Sequence, residues 1–359
     1  MLKYAIRRVI YSLPVLFGVL LVTFILARAV PGDPCKSILG EKATPEVCER
    51  FLHEKGLDQP VYVQFGVYLE ELAHGDLGNS IRFHRSITQI LVERLPVTVE
   101  LGFFALLIAT AIGIPLGMLS ALKHNSGFDI GTMVFANIGV SMPVFWLGLM
   151  LAYIFALVLR GTPFALPPSG RLSPGVVSIP FYEVWGMYAE DAKNVPKLLQ
   201  FISNLVVFNS IITLDWKVLG DALRHLILPS VALATIPMAI IARMTRSSML
   251  QVINMDYVRT ARAKGLAERK VIFRHVFRNA LLPLVTVIGL QLGVIFSGAI
   301  LTETIFSLAG VGRSLYEAIT ARDYPVIQGF TVVIALGYIV LNMVVDISYG
   351  FMDPRIRLE

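Results

Sequence analysis

The sequence predicts an all-α polytopic membrane protein with six transmembrane helices. Its 359 residues are 55% hydrophobic and only 16% charged, whereas roughly 25% of a soluble globular chain is charged. A soluble fold cannot bury so much apolar surface, so the composition favours a membrane protein. Six apolar runs reach the roughly 20 helical residues that cross a hydrocarbon core. They are Val9–Val30, Pro96–Leu122, Ile130–Leu159, His225–Met244, Ala280–Leu301 and Gln328–Tyr349.

The distribution of charge predicts that both termini lie in the cytoplasm. Cytoplasmic loops of membrane proteins carry an excess of lysine and arginine. With the N-terminus inside, six spans place the most basic segment, 245–279, inside as well. The predicted inner segments are then 123–129, 245–279 and the C-terminal tail, and the outer segments are 31–95, 160–224 and 302–327.

A shorter apolar run, Leu198–Leu214, stands between the third and fourth spans. Ser203, Asn204, Asn209 and Ser210 interrupt it, so we predict that it is interfacial or folded against the protein. The alternative is a seventh crossing, which would reverse everything downstream and put the basic segment outside.

Residues 1–95 are expected to form an N-terminal transmembrane helix with a folded outer loop. The first span follows three basic residues and therefore resembles a secretory signal. Its apolar part exceeds the roughly 7–15 residues of a signal peptide, so we expect it to be retained as an anchor. In the outer loop, Gln59–Leu72 has the apolar spacing of an amphipathic helix.

Two cysteines, Cys35 and Cys48, both fall in this outer loop. In an oxidising exterior they are able to close a small loop by a disulfide bond. The alternative is two unpaired thiols, and two cysteines alone do not decide between these states. The six histidines are scattered and form no Cys/His pattern, so we predict no metal site.

The other five spans form the predicted core, 96–359, which includes the long outer loop 160–224 and the basic segment 245–279. Glycines four residues apart predict close contacts between helices. These are Gly113 with Gly117 and Gly289 with Gly293. Proline residues, Pro143 among them, are predicted to break or kink the spans.

Polar side chains inside spans tend to face the bundle interior or a water-filled path. The candidates for lining such a path are Thr235, Gln291, Ser297 and Asn342. Asp346 is the one carboxylate of spans four to six, and it lies toward the cytoplasmic end. We expect it to be an interfacial or inter-helix partner, and the alternative is a role with substrate or protons.

No motif in the chain indicates catalysis or nucleotide binding. The patterns G-x-x-x-x-G-K-[ST], H-E-x-x-H and G-x-S-x-G are all absent. We therefore predict that the chain is not an enzyme and binds no cofactor, so that any uphill transport is powered by a partner on the cytoplasmic side. The net charge is +6. The basic residues cluster beside apolar spans rather than on a soluble face, which argues against nucleic acid as a partner.

The densest basic stretch, NMDYVRTARAKGLAERKVIFRHVFRNALLP (254–283), has the pattern of a short helix followed by a second one. Asn254 is predicted to cap the first helix, with Asp256 in its first turn. Gly265 is predicted to end it. A second helix, Glu268–Asn279, then leads into the fifth span.

The first of these helices has two distinct faces. Val258, Ala261 and Gly265 form a small face that would let another surface come close, and Arg259 and Arg262 lie on another face. Arginines pair well with carboxylates, so the pattern favours a specific protein contact. The alternative is a basic loop that only sets topology or binds anionic lipid.

Four segments of the chain are distinctive: LKYAIRRVIYSLPVLFGVLLVTFILARAVPGDP, HGDLGNSI, SMLQVINMDYVRTARAKGLAERKVIFRHVFRNALLPLVTVIGLQLG and GAILTETIFSLAGVGRSLYEAITARDYPVIQG. They resemble segments of binding-protein-dependent ABC transporter permeases, in the dipeptide/oligopeptide/nickel branch, and the dipeptide permeases most. The resemblance spans nearly the whole chain, and 243–293 is its most specific part.

This resemblance implies a six-helix fold of the type I ABC importer kind, with a cytoplasmic coupling helix that sits in a cleft of an ATP-binding subunit. The coupling residues are then expected to be Tyr257, Arg259, Ala261, Arg262, Lys264 and Gly265. The family's general motif is Glu-Ala-Ala, three residues and Gly. Gly265 and Ala261 match it, whereas Arg259 and Thr260 stand where it has Glu and Ala, so a contact that needs the glutamate is not implied.

The resemblance also implies partners and a mechanism. They are a homologous second permease that completes the pore, two ATP-binding subunits that carry ATP and magnesium, and an extracytoplasmic binding protein that delivers a di- or oligopeptide. Alternating access in the inner membrane of a prokaryote would move the solute. The alternatives are nickel chelates or glutathione as substrate or, in another class, a passive channel or membrane scaffold. For loop 160–224 we weigh contact with the binding protein or shielding of the pore against a lineage-specific surface addition.

Overall fold

The computed structural model describes residues 2–29, 35, 43–54, 56–189, 192 and 194–352. Within these ranges the regular structure is helical, and strand-type pairing is limited to an isolated bridge between Asn79 and Ser86. Several of the helices are long and strongly apolar. The predicted class, an all-α membrane protein, is confirmed.

The helices are numbered in chain order. They are α1 (Leu2–Ala29), α2 (Pro45–Glu54), α3 (Val61–Ala73), α4 (Ile87–Leu122), α5 (Gly127–Ser141), α6 (Val144–Ala152), α7 (Phe181–Val184), α8 (Lys197–Ser203), α9 (Val206–Ile212), α10 (Trp216–Ile253), α11 (Asp256–Ala263), α12 (Glu268–Lys270), α13 (Arg278–Ile305), α14 (Val311–Ala321) and α15 (Tyr324–Met352). Two π-helical stretches, Tyr153–Val158 after α6 and Val271–Phe277 between α12 and α13, continue these helices without a break.

Four helices in the described part are long and apolar enough to cross a membrane. They are α4, α10, α15 and the continuous helix that begins at Glu268 and runs into α13. The pair α5 and α6 passes the same test only when taken together and counts as a fifth crossing if it is one broken span. The apolar part of α1, Ile10–Leu26, is shorter than these. Six crossings therefore stay a prediction.

The predicted third span, Ile130–Leu159, is not one straight helix. Its two halves meet at an angle of 99°. The break lies at Met142, whose backbone is extended, followed by Pro143, which precedes the first residue of α6. A proline has no N–H to donate and pushes the residue before it out of the helical region, so the predicted effect of Pro143 is confirmed.

Helices α4 and α10 form the centre of the bundle, and glycines let them approach closely. A Cβ added at Gly113 would lie 2.8 Å from the carbonyl oxygen of Met238, and one added at Gly117 would lie 2.6 Å from Cβ of Thr245. Real Cβ atoms do not come this close, so only glycine fits. The close contact predicted from this glycine pair is confirmed.

The second glycine pair lies between α13 and α15. A Cβ at Gly289 would lie 2.7 Å from Cγ2 of Val345, and one at Gly293 would lie 2.9 Å from Cε2 of Tyr338. Small residues at such positions allow van der Waals packing between membrane helices. The last span therefore packs on the fifth span through the predicted face.

The short apolar run Leu198–Leu214 forms α8 and α9 and folds against the protein, as predicted. The Asn204 side chain donates to the carbonyl of Val92 at 3.1 Å. The backbone N–H of Val207 donates to the carboxylate of Glu100 at 2.7 Å. Both acceptors belong to α4, so the run is attached to the bundle and does not cross the membrane.

The rest of the long outer loop is attached through charged side chains. Arg171 Nη2 lies 2.6 Å from Glu100 Oε2, and Glu100 is nearly buried. The backbone N–H and the hydroxyl of Ser173 both donate to Asp221 at the start of α10. The loop 160–224 is therefore a folded layer over α4 and α10.

A buried carboxylate joins the first outer loop to the end of the chain. Asp323, immediately before α15, is fully buried. It accepts hydrogen bonds from the Ser80 hydroxyl at 2.5 Å and from the N–H groups of Ile81 and Arg82 at 3.3 and 3.1 Å. We call Ser80–Arg82 with Asp323 the outer latch.

A second buried carboxylate, Glu303, holds the N-terminus of α14. The Thr98 hydroxyl donates to it at 2.6 Å and the N–H of Arg313 at 2.9 Å. The Thr98 hydroxyl also accepts from the N–H of Val311. An added Cβ at Gly310 would collide with the Glu303 carboxylate, so glycine is required there.

The N-terminal part of the chain forms α1, α2 and α3. Cys35 and Cys48 are joined by a disulfide bond. The predicted amphipathic segment forms α3, which packs on the outer end of α1. There, the rings of Phe24 and Phe65 lie 4.9 Å apart, and Arg28 Nε donates to Gln64 at 2.7 Å.

Candidate coupling site

The N-cap of the short helix α11 lies one residue later in the chain than predicted. Its N-cap position is Met255, with extended backbone and no capping side chain. Asn254 instead ends α10, and its side chain donates to the carbonyl of Leu250 at 3.3 Å. The prediction that Asn254 caps α11 is wrong, because α10 continues through Ile253 and the asparagine is used at its end. Asp256 does lie in the first turn, as predicted.

Gly265 ends α11 as predicted. Its φ of +73° lies in the left-handed region, which glycine reaches without steric cost. The N–H of Gly265 bonds to the carbonyl of Arg262 at 2.9 Å, and the N–H of Leu266 bonds to that of Ala261 at 3.4 Å. These two bonds form a Schellman motif, so the helix has a defined end and the chain turns sharply toward α12.

The small face of α11 is covered by this chain itself. Val258 is fully buried and Ala261 is 5% exposed. They pack in one apolar cluster with buried residues of α4, α10, the second π-helix and α13; these are Met118, Ala121, Met249, Val271, Val276 and Ala280. The expectation that this face receives another protein is therefore wrong for Ala261, which attaches α11 to the bundle instead.

The exposed face of α11 carries the remaining predicted residues. Tyr257 is 43% exposed, and Lys264 is also exposed. The side chain of Arg259 is 80% exposed, with only a long ion pair of 3.6 Å to Asp256. The structure therefore brings Tyr257, Arg259 and Lys264 to the surface of one short, firmly held helix.

The two arginines of α11 differ in their surroundings. The Arg262 guanidinium donates from Nε and Nη2 to Glu268 Oε1, at 3.2 and 2.7 Å. This pair bridges the turn at Gly265 and links α11 to α12. Arg262 is thus engaged within the chain, whereas Arg259 presents its charge outward.

The predicted second helix is confirmed as a continuous helix from Glu268, with a π-helical stretch at Val271–Phe277. On its exposed side Phe273 stands among basic side chains and borders a shallow depression of about 520 Å³. The depression is lined by Ala267, Arg269, Lys270, Phe273 and Arg274. The exposed surface of this helix therefore combines one aromatic ring with three cations.

A buried ion pair beside this site was not predicted. The Arg246 guanidinium on α10 donates to both carboxylate oxygens of Asp129 on α5, at 2.6 and 2.7 Å. Asp129 is 2% exposed, and it also accepts from the hydroxyl of Ser120 at the end of α4. The pair therefore ties α4, α5 and α10 together. A lone arginine near the end of a span gives no sign of a partner 117 positions away.

The four residues predicted to line a path are not all brought together. Gln291 on α13 is 5% exposed, and its Oε1 has no hydrogen-bond partner among the described residues. Thr235 on α10 is half-buried, packed near Gly139 of α5, and donates to the carbonyl of Val231. Asn342 is half-buried on α15 and lines a cavity beside α1. The side chain of Ser297 lies outside the described part of the structure.

No group of three metal-binding side chains capable of holding a metal ion is found among the described residues. The polar groups of the site are hydrogen-bond donors and cations rather than nucleophiles with an adjacent base. The arrangement suits binding of an acidic protein surface.

Two family models match the chain. The model described as the binding-protein-dependent transport system inner membrane component matches residues 113–358. The model for the N-terminal part of such membrane components matches residues 1–102. The first match includes the whole of the candidate coupling site.

Curated relatives align along their whole length. The chain is 45% identical to a dipeptide transport system permease protein of Alkalihalophilus pseudofirmus, over 99% of this chain and 100% of that protein. It is 43% identical to a di/tripeptide transport system permease protein of Pseudomonas aeruginosa and to a dipeptide transport system permease protein of Escherichia coli K12, each over 99% of both chains. The chain belongs to the family of binding-protein-dependent transport system inner membrane components, as an ABC permease of the dipeptide type.

Proposed function

We propose that this chain is one transmembrane subunit of an ATP-driven importer of di- and oligopeptides. It forms half of the translocation pore with a homologous second permease. It couples to ATP-binding subunits through α11, and it alternates between inward-facing and outward-facing states. The names of its relatives, which specify dipeptides or di/tripeptides, favour peptides over nickel chelates or glutathione.

The observation that carries this proposal is the construction of α11. Its inner face, Val258 and Ala261, is buried in a cluster that includes α4, α10 and α13. Its outer face presents Tyr257, Arg259 and Lys264. Because the helix is packed against three long helices, a displacement of α11 by a bound partner is passed to the bundle. A rigid contact of this kind is what coupling requires.

The proposed partners follow from the family and from the absence of a nucleotide-binding motif in the sequence. Two ATP-binding subunits supply ATP and magnesium, one of them docking on α11, and an extracytoplasmic binding protein delivers the peptide. Both termini and α11 lie in the cytoplasm, and the folded loop 160–224 lies outside, where it contacts the binding protein or shields the pore. Thr235, Gln291 and Ser297, on α10 and α13, are the candidates for lining the pore, and Asn342 is a weaker one.

The test is the variant Arg259→Ala, with Arg262→Ala as a comparison. We expect Arg259→Ala to weaken copurification of the ATP-binding subunit and to lower peptide uptake by about tenfold, since one exposed charge at an interface with a complementary partner contributes about 1–2 kcal/mol. The quantities measured are the ATPase subunit retained in mild detergent and the initial rate of labelled dipeptide uptake.

Lys123→Ala is the matched control, because Lys123 is an exposed cation on the same predicted side and lies outside α11. It should leave both quantities unchanged. If Arg259→Ala behaves like this control, the docking role of α11 is wrong. If no ATPase subunit copurifies with the unaltered chain, the importer proposal gives way to a passive channel or scaffold.

A further inference from the structure

A cavity lies between the first and the last helices, away from the coupling site. It has a volume of about 510 Å³. Its lining combines basic, hydroxyl, amide and apolar side chains, among them Arg7, Arg8, Tyr11, Ser12, Asn342 and Asp346. None of these groups takes part in the contacts of α11.

The cavity lies near the ends of both helices rather than at their middles. Arg7 and Arg8 belong to the first two turns of α1, which begins at Leu2, and Asp346 is near the end of α15. The N-terminal end of α1 and the C-terminal end of α15 therefore meet at one boundary of the membrane. Charged side chains near helix ends are positioned for lipid headgroups.

The lining of the cavity carries more positive than negative charge. Arg8 Nη1 pairs with Asp346 Oδ2 at 2.9 Å, so the one lining carboxylate already has a cation. The Arg7 guanidinium stacks over the ring of Tyr11 and donates to its hydroxyl at 3.2 Å. Among the described residues Arg7 forms no ion pair with a carboxylate, so its positive charge is available to an anion.

Apolar surface continues directly from this charged end. On α1 the side chains of Ile10, Leu13 and Phe17 are about half exposed, and on α15 those of Val340 and Val344 are similarly exposed. A ligand that fits this combination has an anionic head and long apolar chains.

We propose that this cavity binds an anionic phospholipid of the phosphatidylglycerol kind. Arg7 holds the phosphate, with Tyr11, Ser12 and Asn342 as hydrogen-bonding groups, and the acyl chains lie along the exposed faces of α1 and α15. The guanidinium suits a phosphate because it donates two parallel hydrogen bonds. The proposal needs only that the chain is embedded in a membrane, and it does not depend on α11 or on the transported solute.

The experiment reconstitutes the full-length chain, with any subunits that copurify, in nanodiscs of phosphatidylethanolamine mixed with phosphatidylglycerol. Native mass spectrometry then measures the retained phosphatidylglycerol. We expect Arg7→Gln to lower its apparent affinity about fivefold, because one arginine at an anionic membrane surface contributes about 1 kcal/mol. Arg243→Gln is the matched control: Arg243 is an exposed arginine on α10 outside the cavity, and the variant should retain the lipid as the unaltered chain does.

A second variant separates charge from packing. Asp346→Asn removes the one carboxylate that lines the cavity, so it should raise phosphatidylglycerol retention. If Asp346→Asn weakens retention as much as Arg7→Gln does, the cavity acts only through its shape and the proposal fails. It also fails if the unaltered chain retains both lipids equally. Cross-linking of a Tyr11→Cys variant to another subunit would show that a partner helix fills the cavity, which overturns the proposal as well.

Discussion

At the scale of single residues, buried acids attach the loops to the helix bundle. Glu100, Glu303 and Asp323 are each 6% exposed or less, and each accepts at least two hydrogen bonds, of which at least one comes from a segment far away in the chain. A buried carboxylate is costly unless it is paired and hydrogen-bonded. These residues therefore hold the outer loops at fixed positions on the bundle.

Glu303 is expected to make the folded state less stable as the pH rises. It lies beyond the apolar span, and burial raises its pKa from 4.5 to about 7. The folded state then binds a proton more tightly than the unfolded state between these values. The free energy of unfolding consequently falls as pH rises from about 4.5 to about 7, by at most about 3 kcal/mol from this group.

The measurement is thermal unfolding in detergent at about pH 5 and about pH 8. The unaltered chain should lose more thermal stability across this interval than Glu303→Gln, which keeps the size of the side chain but does not titrate. Equal losses in the two proteins would contradict this role of Glu303.

At the scale of elements, the contact between α4 and α10 predicts opposite effects for two glycine substitutions. Gly117→Ala places a Cβ against the backbone of Ala242 and should destabilise the chain by roughly 1–3 kcal/mol or more. Gly131→Ala, on the open face of α5, meets no atom within 4 Å. It should be neutral or stabilising, because alanine favours helix over glycine by about 1 kcal/mol.

Both glycine variants are measured by the temperature at which half of the detergent-solubilised chain remains monodisperse. The first should fall below the unaltered chain and the second should not. A shift of the same sign for both would mean that helix propensity, and not close packing, dominates at Gly117.

Helix periodicity also shows what sequence patterns leave open at this scale. It correctly groups Val258 and Ala261 on one face, yet it does not say that the chain's own bundle covers that face, and Gly265, which is exposed beyond the end of α11, does not share it. Likewise, Asn254 stands at a boundary where it is equally suited to end one helix or to begin the next. Apolar runs, by contrast, report burial in lipid directly, so the long spans were predictable. The end of α11 was predictable from Gly265, because glycine adopts left-handed backbone without steric cost.

At the scale of the whole molecule, the loop 160–224 depends on its ion pair with the bundle. Arg171→Ala leaves Glu100 nearly buried with a single remaining donor among the residues that the structure describes, the N–H of Val207. Breaking a buried pair from one side costs about 3–5 kcal/mol. We expect this loop to become readily cleaved by added protease while the long helices remain intact.

Arg160→Ala is the control for this experiment, because Arg160 is exposed and forms no ion pair in the described part of the structure. It should leave the cleavage pattern unchanged. Resistance of Arg171→Ala to protease would indicate that the apolar contacts of α8 and α9 hold the loop alone. Local sequence patterns do not predict such long-range pairs, or the pair of Arg246 with Asp129, because neither segment contains information about the position of its partner.

The outer latch sets an order on the making of this protein. Ser80 and its acceptor Asp323 are 243 positions apart. Synthesis proceeds from the N-terminus at about 5–20 residues per second. Ser80–Arg82 is therefore made roughly 10–50 seconds before Asp323, which accepts its hydrogen bonds. The latch closes only on a chain in which α1 to α14 have already been made, which makes its closure a late event of biosynthesis.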